Sequence, residues 1–446
     1  MKFVIIGGDT AGMSAASRAK RNDPGLEVIV LEKTQDVSYS ACGMPYNIAD
    51  PLREMDDLVV REAQVFREKQ GIDLRTGHQV LSIDRPGKKV SGRTDSGESF
   101  QVNYDKLLIA TGASPIIPDL PGFSLPGVLC LKSLEHGRRI KAHIRDYGVR
   151  VAVIIGMGYI AMEMSEALCE LGIQVHMVKP RPGLLPWMHR ELASTVQEEL
   201  EKNGVNLYLG HEIKGIEQTA RGLKVESEGV GFECQMVLTA VGIEPNSELA
   251  ANAELELGPR QSISVDRSAR TSDPEIYAAG DCADAFHVVT GEKTWIPLAL
   301  RANRAGYTAA DNVTQKKAES PAVAGTAVFK VFDLQVARTG LNLEEASSYG
   351  FDPEEIVIKG RTRAISHPGV STMGVRMVGD KNSGLLLGVQ IVAQEGAAHR
   401  INAPAVALHS KMTVEEFGRT DLAYAPPFGP VWDPMLIAAN QLLNKL

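Results

Sequence analysis

Phe3-Val4-Ile5-Ile6-Gly7-Gly8-Asp9-Thr10-Ala11-Gly12, with Glu32 closing the next apolar run, decides the fold. It reads as an apolar strand, a glycine-rich turn and a helix that leads back to a second strand. A backbone turning tightly beside a helix N-terminus offers free N–H groups and partial positive charge to a pyrophosphate. A carboxylate about 20 residues past the turn suits a ribose diol, and Glu32 stands there with Lys33 beside it. Asp9 replaces the middle glycine of the G-x-G-x-x-G pattern, so this turn alone also fits an ordinary strand-to-helix connection.

The design recurs from Arg150 to Lys179, where Gly156-Met157-Gly158-Tyr159-Ile160-Ala161 is an intact G-x-G-x-x-A. Ile160, Met164, Leu168 and Leu171 fall at helical spacing and predict one helix face packed on the sheet. Two such units argue for two bound nucleotides. Lys179 and Arg181 end the second unit, where an acidic residue would favour the free 2'-hydroxyl of NADH; cations there suit the 2'-phosphate of NADPH. Further apolar strands end in glycine at Leu107–Gly112, Met236–Gly242 and Ile276–Gly280, and such strand ends are where open parallel sheets hold ligands. From about Pro321 the pattern changes to runs such as 327–331 and 385–389, with a final helix over about 434–446. That stretch predicts a separate mixed domain with a packing or oligomerisation role.

The 446 residues are too many for one core, and no apolar run reaches the roughly 18 residues of a membrane span. The N-terminus opens directly on a strand, without the features of a secretory signal, so a cytoplasmic protein is expected. Lys and Arg total 47 against 55 Asp and Glu, a net charge of -8, and no basic stripe is present, which argues against nucleic acid as a partner. The five cysteines, 42, 130, 169, 234 and 282, form no CxxC pair and show no metal-ligand spacing. Cys130, Cys169, Cys234 and Cys282 read as small core residues. Cys42 lies in a polar turn with Ser38, Tyr39, Ser40, Gly43 and Pro45, so a cysteine that acts here acts alone or with an exogenous thiol.

Ala110-Thr111-Gly112, the EIYAAGDCAD segment containing Gly280 and Asp281, and the two glycine turns together resemble the FAD-dependent pyridine nucleotide-disulfide oxidoreductases over essentially the whole chain. The resemblance implies an α/β fold with two Rossmann-like domains, for FAD and NAD(P)H, and a C-terminal mixed α+β dimerisation domain. The expected division is 1–113 with 245–320 for FAD, 114–244 for NAD(P)H and 321–446 for the homodimer contact. It places Gly7, Gly8, Gly12, Glu32, Thr111, Gly112, Gly280 and Asp281 at FAD. Pro297, Leu298 and Ala299 look like the flavin-ring contact. Gly156, Gly158, Tyr159, Ile160, Glu163 and Gly242 fall to the nicotinamide nucleotide, with Tyr159 and Glu163 resembling residues that gate and orient it.

Asn47 stands where the dithiol branches of that family place a second cysteine, and no HPxxxE segment is present. What remains is the single-cysteine branch: coenzyme A disulfide reductases, NAD(P)H-dependent persulfide or polysulfide reductases, and NADH oxidases or peroxidases. A thiol of pKa about 8.5 is only about 3% ionised at pH 7, so a helix N-terminus near Gly43 to Tyr46, with the flavin, is expected to favour the thiolate. The oxidases carry a histidine where Thr10 stands, and threonine is no acid-base group near neutral pH.

Ser14, Arg18 and Arg21 match positions where coenzyme A disulfide reductases bind the CoA phosphates and adenine end, with Lys69 and Arg304 as further cations and Ser38 in the substrate channel. Ala41 departs from the asparagine usual beside the cysteine. Tyr424, in LAYAPPFGPVWDP, resembles a tyrosine that reaches the partner subunit's active site and donates to the leaving thiolate; a second such tyrosine is missing at Ile365-Ser366-His367-Pro368. The expected reaction is NAD(P)H-dependent reduction of CoA disulfide, CoA persulfide or polysulfide through FAD and Cys42. The chain ends without room for the rhodanese-like domain persulfide reductases often carry, which tilts the expectation toward disulfide. An oxidase cycling Cys42 through sulfenic acid and a flavin redox sensor without turnover are the alternatives.

Overall fold

The computed structural model describes all 446 residues, Met1–Leu446. Two parallel five-stranded sheets repeat one plan, each with its glycine-turn strand in the centre. The first runs Ile276–Ala278, Lys106–Ile109, Lys2–Ile6, Glu27–Leu31, Asp73–Arg75, with Phe3 beside Val28 on one side and Lys106 on the other. The second runs Asn206–Leu209, Gln174–Lys179, Val151–Ile155, Met236–Thr239, Val128–Leu129. In both, the chain leaves the central strand through a helix to one neighbour and returns later on the other side. That reversal opens a crevice at the strand ends, where the glycine turns lie.

Central strands with helices on both faces need apolar side chains in both directions, which is why Val4, Ile5, Ala152, Val153 and Ile154 are all fully buried despite period-two geometry. The third sheet is antiparallel, in the order Ala327–Val331, Leu334–Gly340, Leu386–Ala393, Thr372–Asp380, Pro353–Arg361. Every residue of its central Leu386–Ala393 strand is buried. The final helix spans Pro434–Leu443, and its Met435, Ala438, Ala439 and Leu442 close this core.

One core fixes the site. It joins Met44 and Ile48, just after Cys42, to Met162 and Met164 of the Tyr159–Glu170 helix and to Phe329, Val331 and Val336 of the third sheet. The Tyr159–Glu170 helix is therefore buried on more sides than its sequence periodicity predicts: Ala161, Met162, Met164, Ser165, Glu166, Ala167 and Leu168 are all inside. Glu166 tolerates this because Lys330 and the Phe332 N–H, at 2.8 Å, partner its carboxylate. No helix is long and apolar enough to cross a membrane.

Candidate active site

Cys42 sits in a single 3-10 turn, Ala41–Gly43, that runs into the short helix Met44–Ala49. Ser38 approaches the turn with φ +48°, a left-handed conformation held on both sides: its N–H donates to Gly8 O at 3.2 Å and its carbonyl accepts from Val60 at 2.8 Å. Asn47, where a second thiol would stand, is fully buried, and its amide donates to Glu54 O at 2.8 Å, so the position is structural. Lys141 donates to the Asn47 and Asp50 carbonyls at 2.9 and 2.8 Å, a cation at the C-terminal end of the helix that sequence reading missed.

Cys42 as a residue is exposed, but its thiol is partly enclosed by the surrounding protein, and this burial pushes its pKa up, with Glu163 raising it further and Lys132 opposing. Stabilisation of the thiolate at this position would therefore have to come from the N-terminus of the Met44–Ala49 helix and from the flavin, against these groups of the chain.

Around the first turn, a Cβ on Gly7 would lie 2.2 Å from Ala110 O and one on Gly12 1.9 Å from Gly7 O, so both positions require glycine. Beside Gly112 a Cβ would meet nothing within 4 Å, and Asp9 Oδ1 is buried without a hydrogen-bond partner. An open cradle with an orphaned polar atom at a helix N-terminus fits the pyrophosphate and ribityl parts of FAD. Burial raises the Asp9 carboxyl to about 6, with Lys132 pulling it down. Glu32 is buried and accepts from Gly8 N at 2.7 Å and Thr34 N at 2.8 Å, while Lys33 is exposed. Asp281 pairs with Lys132 at 3.0 Å. Three further residues build this cradle: Asn246 clamps Thr111, accepting at its carbonyl from the Thr111 hydroxyl at 2.6 Å and donating back to Thr111 O at 2.8 Å. Trp295 donates to Asp281 O at 2.7 Å, and the buried Arg301 donates to the carbonyls of Gly280, Ala283 and Asp284 at 3.0, 2.8 and 2.6 Å. Pro297 and Leu298 lead into the Ala299–Val313 helix, whose N-terminus is exposed.

The second turn fits a second dinucleotide. Gly156 has φ +113° and no room for a Cβ, which would sit 2.2 Å from Ala240 O, whereas Gly158 faces open space. Ile160 is half-buried behind it, and Gly242, at φ +137°, accepts from Ile116 N at 3.0 Å. Tyr159 packs on Phe329 and Trp187, ring centroids 4.7 and 6.0 Å away. Glu163, one turn on, accepts from Tyr46 OH at 2.8 Å. Lys179 is buried, and its ammonium donates to Gly183 O at 2.7 Å instead of standing free; Arg181 is exposed.

Ser14, Arg18 and Arg21 line one seam between the Thr10–Asn22 and Ala299–Val313 helices. Ser14 Oγ is 2.8 Å from Asn303 Oδ1, Arg18 forks onto Asp311 at 2.7 and 3.0 Å, and both guanidinium groups lie 5.9 Å from the Tyr307 ring centroid. Arg304 and Lys69 are exposed. Tyr424 is 47% exposed in the stretch before the last helix, and His367 Nδ1 is 2.9 Å from Pro368 O.

Residues 1–314 match the pyridine nucleotide-disulphide oxidoreductase family, and residues 326–435 match the dimerisation domain of that family. An NAD(P)H coenzyme A polysulfide/persulfide reductase of Pyrococcus horikoshii is 38% identical over 442 residues, 99% of this chain and 98% of that protein. An NADH oxidase of Methanocaldococcus jannaschii is 34% identical over 450 residues, 100% of this chain and 99% of that protein. The structure of an NAD-dependent persulfide reductase from A. fulgidus superimposes with a TM-score of 0.96 at 35% identity, covering 100% of this chain and 83% of that one.

Proposed function

The chain belongs to the pyridine nucleotide-disulphide oxidoreductases, and from that membership we propose that it is a homodimeric NAD(P)H-dependent reductase of CoA disulfide, CoA persulfide or polysulfide, acting through Cys42. The observation that carries this reading is a lone exposed cysteine between two dinucleotide cradles, with a structural asparagine where a resolving thiol would stand.

FAD is held by the Gly7–Gly12 turn, Glu32, Thr111, Gly112, Gly280 and Asp281, with Pro297, Leu298 and Ala299 at its ring; bound there, it supplies the two-electron link between nicotinamide and sulfur. NAD(P)H takes the Gly156–Ala161 turn, with Tyr159 and Glu163 at the nicotinamide end, Gly242 opposite and Arg181 the free cation for a 2'-phosphate. Ionised Cys42 attacks a sulfur of the acceptor, forms a mixed disulfide or persulfide, and releases one thiolate or sulfide, which takes a proton. Two-electron reduction of that Cys42 adduct breaks its S–S bond, restoring the Cys42 thiolate and releasing the second sulfur as a thiolate or sulfide that is protonated in turn. Tyr424, presented from the partner subunit, donates to the leaving sulfur. The Ser14, Arg18 and Arg21 seam, with Arg304, Lys69 and Ser38, takes the CoA moiety, Arg18 trading its Asp311 partner for phosphate. The division into residues 1–113 with 245–320, 114–244 and 321–446 serves these three tasks. Unpaired cysteines suit a cytoplasmic protein.

The M. jannaschii relative favours a second reading, an oxidase cycling Cys42 through sulfenic acid. Thr10 provides no acid-base group for that chemistry. Anaerobic NAD(P)H oxidation with each sulfur acceptor, set against oxygen consumption in air, separates the two.

A further inference from the structure

Tyr46 has no part in the function proposed above, yet its hydroxyl makes a side-chain hydrogen bond that joins the Cys42 helix to the pyridine-nucleotide helix, donating to Glu163 Oε1 at 2.8 Å. The two residues come from opposite sides of the site. Tyr46 lies one helical turn past Cys42, and Glu163 one turn past Tyr159, so the bond spans the path from nicotinamide to sulfur. Both supports are packed into the core: Met44, Pro45, Asn47 and Ile48 are buried around Tyr46, and Met162, Met164 and Ser165 around Glu163. The Tyr46 ring itself is 44% exposed, so packing does not explain a tyrosine here.

We propose that Tyr46 is a positioning residue of the reductive half-reaction, which fixes the Glu163 carboxylate between the nicotinamide position and Cys42. The inference rests on the reductase reading and adds a residue to it. Burial pushes Glu163 up, and the Tyr46 hydrogen bond pulls it back toward the ionised form. The titratable groups around it are Glu166 on its own helix, already paired with Lys330, Cys42 in the facing 3-10 turn and Tyr46 on the facing helix; Lys132, Asp281 and Asp9 stand across Cys42. Glu163 in turn disfavours the Cys42 thiolate. Losing the phenol therefore shifts Glu163 toward its neutral acid and relieves Cys42 of a neighbouring anion.

The experiment uses flavin-loaded Tyr46→Phe, Glu163→Gln and the double variant. Stopped-flow flavin reduction by NADH and NADPH is followed across pH, and Cys42 alkylation by iodoacetamide is followed in the oxidised enzyme. In Tyr46→Phe the acid limb of flavin reduction moves to higher pH, reduction near neutral pH slows by about tenfold, and alkylation of Cys42 moves to lower pH. In the Glu163→Gln background the Tyr46→Phe change adds nothing further, which a merely structural tyrosine would not produce. Unchanged profiles in Tyr46→Phe, or additive losses in the double variant, overturn the proposal. A wild-type flavin that neither nucleotide reduces overturns the reductase reading itself, so the two failures are distinct.

Discussion

Lys132 Nζ lies 3.0 Å from Asp281 Oδ2, tying the segment after the Val128–Leu129 strand to the Gly280–Asp281 turn beside the redox cysteine. The pair sets opposing fields at Cys42: Lys132 favours its thiolate and Asp281 disfavours it. Lys132→Met is expected to move Cys42 alkylation to higher pH, and Asp281→Asn to lower pH. The pH dependence of iodoacetamide labelling checks both signs.

Arg301 is the anchor of the same turn. Its guanidinium satisfies three buried carbonyls, and Arg301→Met leaves them without donors, at a cost of about 3 kcal/mol or more. Thermal unfolding should show a clear drop in Tm and bound flavin should fall. Arg301→Lys is expected to recover part of the loss, because an ammonium reaches fewer of the three acceptors.

Asp9 makes stability depend on pH with a definite sign. Burial raises its folded carboxyl from 3.8 to about 6, so the folded state binds more protons than the unfolded chain between those values. Stability from this group is fully present below pH 3.8, declines as pH rises, and is lost above about 6. In flavin-depleted protein, Asp9→Asn should therefore raise Tm at pH 7.5 and give no gain at pH 4.

In the proposed function the nucleotide preference depends on Arg181 and not on Lys179. Arg181 is exposed and free to meet a 2'-phosphate, so Arg181→Glu should lower kcat/KM for NADPH by about tenfold or more and leave NADH nearly unchanged. Lys179 instead holds the Gly183 carbonyl, so Lys179→Met should weaken both nucleotides alike. Paired kcat/KM measurements decide whether Lys179 is part of the loop or part of a phosphate pocket.

What the sequence reveals and what it hides follow the range of the interactions. Both glycine turns, their flanking strands and the Ala327–Val331 strand are legible because they depend on neighbours in sequence: the turn glycines sit against backbone that only glycine admits, and apolar runs mark the central strands. The residues that finish the site are not. Tyr46 meets Glu163 across 117 positions, Asn246 meets Thr111 across 135, and Lys132 meets Asp281 across 149, and no local pattern announces such pairs. The field at Cys42 is hidden for the same reason: burial of the thiol and the Glu163 carboxylate, brought in from another sheet's helix, both raise its pKa, and neither is visible in the residues around the turn. Lys179 is missed by orientation, since a lysine at a strand end reads as a free cation until Gly183 folds back over it.

In the proposed reaction Cys42 alone passes electrons from the pyridine nucleotide to an external sulfur acceptor. The decisive experiment is anaerobic NAD(P)H oxidation by flavin-loaded wild type and Cys42→Ser, offered CoA disulfide, CoA persulfide and polysulfide in turn. Rapid turnover of at least one acceptor by the wild type, lost in Cys42→Ser while NAD(P)H still reduces the flavin, is the predicted result. Equal turnover by the serine variant, or no turnover of any sulfur acceptor by the wild type, contradicts it.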